Sequence, residues 1–331
     1  MKKCLLRAVM ILTTVILLPL FAAGAEGTFQ PPSPEPPAAN GTGRPTPAPT
    51  AVPTAVIIDH VNLPDEYPDF EFRKDRKILD IWFPNIKDAD MAVLQYDGET
   101  WMIDCGDVKS ARRGVKMLRQ LGIDRIDTLL NSHMHHDHID GLELVNEVAK
   151  VGEIRICFLP VLTQSGLLMI QAAEELGIPV KEYGDGDRFT MGDGAVEMQI
   201  LKNNEEDLDI NNQSAVTKIT YGQRSILFTA DVEWLGQEAM MKRLGDDAGV
   251  LKSDILKYPH HGKSHIYGPF YEAVNPMMAV VTSLEGRKDS GQYFMANKAL
   301  PGIFTASLKE FIHLATDGEY WLAEKIKITV K

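Results

Sequence analysis

Cysteine is scarce in this 331-residue chain: Cys4, Cys105 and Cys157 are too few for a disulfide-stapled framework. Cys105 and Cys157 each fall in or beside an apolar, strand-like run, where a buried free thiol is the usual state, and a disulfide between the two is the alternative. Positive charge is also short. Lys and Arg number 34 against 46 Asp and Glu, a formal net charge of −12. That balance works against broad binding to nucleic acid or anionic membrane, which needs clustered basic side chains. Outside residues 5–23 no apolar run approaches the roughly 20 residues that a membrane-spanning helix needs.

What is present supports a large core. With 44% apolar and 24% charged positions the chain is neither disordered nor fibrous. Residues 1–25 read as an export signal: Lys2, Lys3 and Arg7 precede the apolar run 8–20, and Ala23-Gly24-Ala25 offers a small-x-small cleavage pattern. The alternative is an uncleaved anchor, and both place the rest of the chain outside the cytoplasm, secreted or tethered to the membrane. Residues 26–56 are Pro, Ala, Thr and Gly with almost no large apolar side chain, a disordered spacer. Residues 57–331 are left as the folded, catalytic domain.

Within it, 77–83, 91–96 and 99–104 read as a β-meander turned at Asp97-Gly98. Residues 110–121 carry apolar positions at helical spacing and stop at Gly122, and 126–130 is a buried strand. Further strands are expected at 154–159, 179–183, 195–201, 214–221, 224–228, 254–258 and 277–283. Helices are expected from 140 to about 149, over 167–176 and over 233–244. A loop fills the stretch that follows 283, and a hairpin around Asp317-Gly318 closes the chain. Gly184-Asp185-Gly186-Asp187 lacks the bidentate Glu of a calcium loop and reads as two turns.

Directly after strand 126–130 comes His133-Met134-His135-His136-Asp137-His138. His133, His135, Asp137 and His138 place three imidazoles and a carboxylate where a buried strand runs into a loop. Such nitrogen and oxygen donors suit zinc or a similar divalent ion. A histidine-rich surface loop is the competing interpretation, but a second histidine doublet, His260-His261, also follows a strand-like run. The His-x-His alternation lets two side chains share one ion while Asp137 and His138 turn to a second.

The form H-x-H-x-D-H resembles the metallo-β-lactamase-fold hydrolases, and cues for that resemblance run from about residue 78 to the end. It implies an α/β fold, the αββα sandwich, and two divalent ions, zinc or manganese. Asp104 matches the carboxylate that braces the metal loop in that family. Asp231, leaving strand 224–228, matches the ligand bridging the two ions, although a helix N-cap is the simpler account of it alone. Pro259-His260-His261-Gly262 resembles the family's last ligand element, with His261 as ligand and His260 as a neighbour that contacts substrate, an order that could be reversed. The implied metal ligands are therefore His133, His135, Asp137, His138, Asp231 and His261.

Asn211-Asn212-Gln213-Ser214, the Pro-His-His-Gly element and the Thr316-Asp317-Gly318 tail narrow the likeness to the hydrolase domain of ComEC-type competence proteins and its secreted stand-alone relatives, among them a teichoic-acid phosphocholine esterase. In that branch a histidine common elsewhere in the family is absent, and no His lies between His138 and His260 here. The missing ligand counts against a true β-lactamase. Unlike the ComEC-type domains, residues 287–306 contain Pro301 but no His. The resemblance implies a phosphodiesterase or other phosphoester hydrolase working through a hydroxide held by both ions, with Asp137 orienting it and His260 and Lys263 stabilising charge on phosphate or leaving group. Its substrate would be a wall polymer, a small-molecule phosphodiester or, less favoured by charge, nucleic acid. A lactam, lactone or thioester hydrolase and a metal-stabilised, non-catalytic binding module are the alternatives.

Overall fold

The computed structural model describes residues 57–59, 72, 74–205, 207–286, 290–306 and 309–329. The export signal and spacer expected over 1–56 lie outside them. All described elements belong to the unit that spans residues 53–331, and none of the helices described is long and apolar enough to cross a membrane.

Seven strands come first: β1 (Ile57–Asp59), β2 (Leu79–Phe83), β3 (Met91–Tyr96), β4 (Glu99–Cys105), β5 (Arg125–Asn131), β6 (Lys150–Ile156) and β7 (Val180–Glu182). The next seven, β8 (Arg188–Met191), β9 (Val196–Lys202), β10 (Ala215–Tyr221), β11 (Arg224–Phe228), β12 (Ile255–Lys257), β13 (Met278–Val281) and β14 (Gly302–Phe304), build a second sheet. The last two, β15 (Glu310–Thr316) and β16 (Trp321–Lys327), return to the first sheet, whose order is β1-β16-β15-β2-β3-β4-β5-β6-β7.

Helices α1 (Val108–Leu121), α2 (His136–Ile139), α3 (Leu142–Val148) and α4 (Gln164–Leu176) connect strands of the first sheet, and α5 (Trp234–Leu244), α6 (Gly268–Val274) and α7 (Ser290–Asn297) those of the second. The period-2 alternation of strand side chains makes this a four-layer αββα sandwich. Leu79, Ile81 and Phe83 of β2 and Ala92 and Leu94 of β3 face the core between the sheets, where Ile226, Phe228, Ile255 and Val280 meet them. The intervening residues, Trp82, Val93 and Met102, pack instead against α1, α3 and α4, as Leu227 and Leu256 pack against α5 and α6. Asp107 caps α1 by accepting from Ser110 N at 2.5 Å, and Gly122 ends it at φ 70°.

The stretch after 283, expected as loop, contains α7 and β14, and the half-exposed edge strand β8 adds another element to those expected. Helix α6 is likewise additional. In the Gly184–Asp187 segment the carboxylates are committed to the fold, Asp187 accepting from Gly184 N and Asp185 from Lys202 N, both at 2.8 Å. Cys105 and Cys157 are free thiols. They pack against opposite faces of the first sheet, Cys105 with the helices and Cys157 with the inter-sheet core, which no disulfide could bridge.

One charged cluster in this scaffold gives a pH-dependent stability. His313 of β15 stacks on Trp82 with ring centroids 3.6 Å apart and bridges Asp80 at 2.8 Å and Glu324 at 2.6 Å. Burial works to lower its pKa, but the hydrogen bonds to the two carboxylates win and hold it above the ordinary histidine range. The proton is thus bound more tightly in the native chain. The associated stability is fully present below about pH 6.5, the unfolded value, and is lost as pH rises through the higher native one. Thermal midpoints measured from pH 6 to pH 9 are expected to fall more steeply for the wild type than for His313→Gln.

Candidate metal centre

Strand ends from both sheets converge on one spot. After β5, the segment Ser132–His135 leads into the single turn of α2, which buries His138 completely. Gly141 lets this turn lie against the end of β4: a Cβ there would meet the Cys105 carbonyl oxygen at 2.0 Å, and Gly141 N donates to Gly106 O at 2.9 Å. From the second sheet, parallel β11 and β12 pair Phe228 with Lys257, so the segments leaving them emerge side by side. Thr229 Oγ1 donates to Lys257 O at 2.6 Å and His260 N to Ala230 O at 3.0 Å. Asp231 and His261 are thereby delivered to the same level.

The backbone is strained where these side chains are aimed. Asp104, Ala230, His260 and His261 all have positive φ, at 54°, 46°, 47° and 54°. Left-handed non-glycine residues cost on the order of 1–3 kcal/mol each and persist where the surroundings over-determine them.

Asp137, His138, Asp231 and His261 bring four ligand atoms within 4.8 Å of one another. His138 Nε2 and His261 Nε2 each lie 3.3 Å from Asp231 Oδ2, and His261 Nε2 lies 3.3 Å from Asp137 Oδ2. Donors about 2.1 Å from a shared ion stand roughly 3.4 Å apart in a tetrahedron, so the spacing fits a zinc-sized cation. The hydrogen bonding fits as well. His138 Nε2, His261 Nε2 and Asp231 Oδ1 are buried without a hydrogen-bond partner, a costly arrangement unless a cation satisfies them.

His133 Nε2 and His135 Nδ1 face each other at 3.1 Å beside this cluster, with the His133 and His138 rings 4.0 Å apart. They stand outside the four-ligand group. His136, the first residue of α2, is turned to solvent, 67% exposed. His260 is partly exposed, its Nε2 3.7 Å from Asp231 Oδ2 and its Nδ1 2.6 Å from Glu233 Oε1. Lys263 follows at the end of the same turn, where its backbone N donates to His260 O at 2.8 Å.

The electrostatics follow from crowding. Burial alone would discharge the imidazoles, but the carboxylates of Asp231 and Asp104 outweigh it at His138, and those of Asp231 and Asp90 at His261. Both rings are raised above the ordinary range, His261 to about 10. Asp137 is pushed up by burial but pulled further down by its contact with His261 and the charge on His138. His133 moves the other way, lowered by burial and then by His138, and burial likewise lowers His135. Free of metal, the pocket thus holds positive charge among its carboxylates as protons on two imidazoles, which a divalent ion would replace.

Behind the ligands stand residues that orient them. Asp104 accepts from Ser132 N at 2.8 Å, Ser132 Oγ at 2.7 Å and His138 Nδ1 at 2.8 Å, fixing the tautomer that turns Nε2 to the cluster. Asp90 does the same for His261 Nδ1 at 3.0 Å, while Thr282 Oγ1 donates to it at 2.7 Å and the buried ammonium of Lys257 pairs with it. Asp90, Asp104 and His138 also lie close enough to be a ligand group, but these carboxylates are already engaged. Asn212 accepts from Glu233 N and Gly236 N, both at 2.9 Å, and so caps α5 in trans. Asp231 is left free of capping duty, and the residue at the cap position is Glu233.

Asp90, Thr282 and Lys257 were not among the residues expected here. A lysine ending the buried strand Ile255-Leu256-Lys257 was the available signal. Replacing Asp104 with Asn is expected to weaken metal binding by about 10- to 100-fold, because three donors then face one oxygen and an amide. A titration in metal-buffered solution checks it.

Residues 88–318, more than half of the chain, match the sequence model of the metallo-beta-lactamase superfamily. The chain belongs to that superfamily and has its metal-dependent hydrolase fold. More particularly, it is 28% identical over 190 residues to Competence protein ComA of Neisseria gonorrhoeae, covering 55% of this chain and 24% of that one. It is also 28% identical over 171 residues to ComE operon protein 3 of Bacillus subtilis, covering 51% and 21%. The match thus spans about a quarter or less of the length of these relatives. Among solved structures, the metallo-beta-lactamase fold protein YhfI from Bacillus subtilis aligns with TM-score 0.45 and 14% identity over 68% of this chain and 95% of that one. A metallo-beta-lactamase from Cronobacter sakazakii aligns with TM-score 0.38 and 15% identity over 53% and 75%.

Proposed function

We propose that the chain is an exported phosphoester hydrolase, acting outside the cytoplasm on phosphodiesters of a wall polymer or small molecule. The observation that carries the reading is the convergence of Asp137, His138, Asp231 and His261 with orphaned, inward-facing donor atoms. A divalent metal held there supplies Lewis-acid activation of water and of a phosphoryl group, so no protein nucleophile is required. Asp231, fully buried between the two sheets' contributions, shares one oxygen between His138 and His261. Asp137, the less buried carboxylate, stands at the mouth and would orient the attacking water. Glu233 and Ser264 hold the His260 ring through Nδ1, leaving Nε2 directed at the cluster to stabilise charge on phosphate or leaving group. Lys263, next in the same turn, would add a second positive charge. The His133–His135 pair is the natural home of the second ion.

The absence of a histidine between His138 and His260 supports a phosphoester over a lactam substrate, and the net charge of −12 favours a wall polymer or small phosphodiester over nucleic acid. Export rests on the Lys2, Lys3 and Arg7 region, the apolar run 8–20 and Ala23-Gly24-Ala25. The test is metal content of the purified protein without residues 1–25, paired with bis-p-nitrophenyl phosphate hydrolysis with and without chelator. Two equivalents of zinc or manganese and chelator-sensitive turnover are expected. Metal-loaded protein that cleaves nitrocefin or an acyl-homoserine lactone, and leaves the phosphodiester intact, would overturn the proposal.

A further inference from the structure

Beside His133 the surface opens into a cleft of about 280 Å³. His133 is part of its wall and its ring lies 4.0 Å from that of His138, so the cleft adjoins the metal cluster. The lining is mixed: Met134, Ile156, Phe158, Leu162 and Ile210 form an apolar side, while Lys202, Glu182 and Gln213 supply polar groups.

The apolar character does not stop at the mouth. Leu159 and Leu162, two of its lining residues, are 64% and 60% exposed, and Val161, between them on the turn Pro160–Leu162, is 71% exposed. Contiguous exposed apolar side chains rimming a cleft mark a binding surface rather than a folding requirement.

This lip is fastened to the metal loop. Thr163 Oγ1 donates to Met134 O at 3.1 Å and also accepts from Gly166 N at 2.9 Å, capping α4. Gly166 packs so tightly that a Cβ would meet the Pro160 carbonyl oxygen at 2.4 Å. The apolar edge is therefore placed by the same backbone that places His133 and His135.

We propose that this cleft holds the aliphatic substituent of an amphiphilic phosphoester whose phosphoryl group lies at the metal cluster. The inference rests on the reaction read above and names its substrate class. A chain that fills the cleft continues over Leu159, Val161 and Leu162, which accounts for apolar surface that the fold itself does not bury.

The experiment measures calorimetric binding of n-alkylphosphonates, from ethyl to decyl and below their micelle concentrations, to the zinc-loaded protein. The association constant is expected to rise up to about fourfold per added methylene until the cleft is filled. The doubly substituted Leu159→Gln/Leu162→Gln protein should show a shallower dependence on chain length. Leu176→Gln, an exposed leucine at the far end of α4, should keep the wild-type slope. A flat dependence in the wild type, or an unchanged slope in the double variant, removes the proposal. Because binding is read without turnover, the two readings separate. Hydrolysis of bis-p-nitrophenyl phosphate with a flat slope leaves the reaction and removes the chain site. A steep slope without hydrolysis removes the reaction and keeps the site.

Discussion

Replacing Asp231 with Asn is expected to lower metal-dependent turnover of bis-p-nitrophenyl phosphate by about a thousandfold or more, with the fold intact. Transition-state charge stabilisation by a catalytic metal amounts to several kcal/mol, and each 1.36 kcal/mol is about tenfold in rate. Asp231 is the one carboxylate in contact with both His138 Nε2 and His261 Nε2, each at 3.3 Å. An amide in its place keeps the shape but brings no charge, and its NH2 or its oxygen must face two imidazoles. The metal-free variant should also lose some stability, since His138 and His261 lose the carboxylate that both face. Circular dichroism and thermal melting of the metal-free variant separate this outcome from unfolding. Retention of most of the activity would remove Asp231 from the site.

The second large effect falls on stability. Lys257→Met should destabilise the protein by about 3–5 kcal/mol, because the buried Asp90 carboxylate loses its ammonium partner and keeps only its contacts with His261 and Thr282. Lys257 is 2% exposed and its ammonium both pairs with Asp90 and donates to Ala230 O at 3.1 Å. For a domain of this size that loss corresponds to a fall in melting temperature of roughly 6–20 °C. Asp90→Asn in the same chain should recover part of it, since removing both charges leaves no unpaired ion. The double-mutant cycle reads the coupling directly. If Lys257→Met melts within a degree of the wild type, the ion pair is not what holds the floor of the site together.

How legible was this in the sequence? The strands around the metal loop were readable because their alternation is strong and their turns carry glycine: 91–96 and 99–104 agree with β3 and β4, joined at Asp97-Gly98. The ligand segment was readable because its donors are consecutive in the chain. Asp90 and Lys257 were not, since each is a single charge in a separate stretch and only the packing of two sheets makes them a pair. The region after 283 was read as loop because α7 has weak amphipathicity and β14 only three residues, and tertiary contacts decide such short elements. Asn212 belongs to the Asn211-Asn212-Gln213-Ser214 stretch on which the likeness rests, but its task, capping a helix that begins three residues beyond Asp231, needed coordinates.

The return of β15 and β16 to the first sheet bears on how the chain acquires its shape. β15 pairs with β2, and the bond between His313 and Asp80 closes a separation of 233 residues. Until that closure, β2 is an edge strand, paired with β3 on one side and presenting unpaired N–H and C=O groups on the other. Contacts this remote in sequence make for slow folding, since the entropy of closing the loop is lost before the strand pairing compensates for it. Refolding from denaturant should therefore be rate-limited by capture of the C-terminal hairpin, and intermediates that lack it should be the species that aggregate.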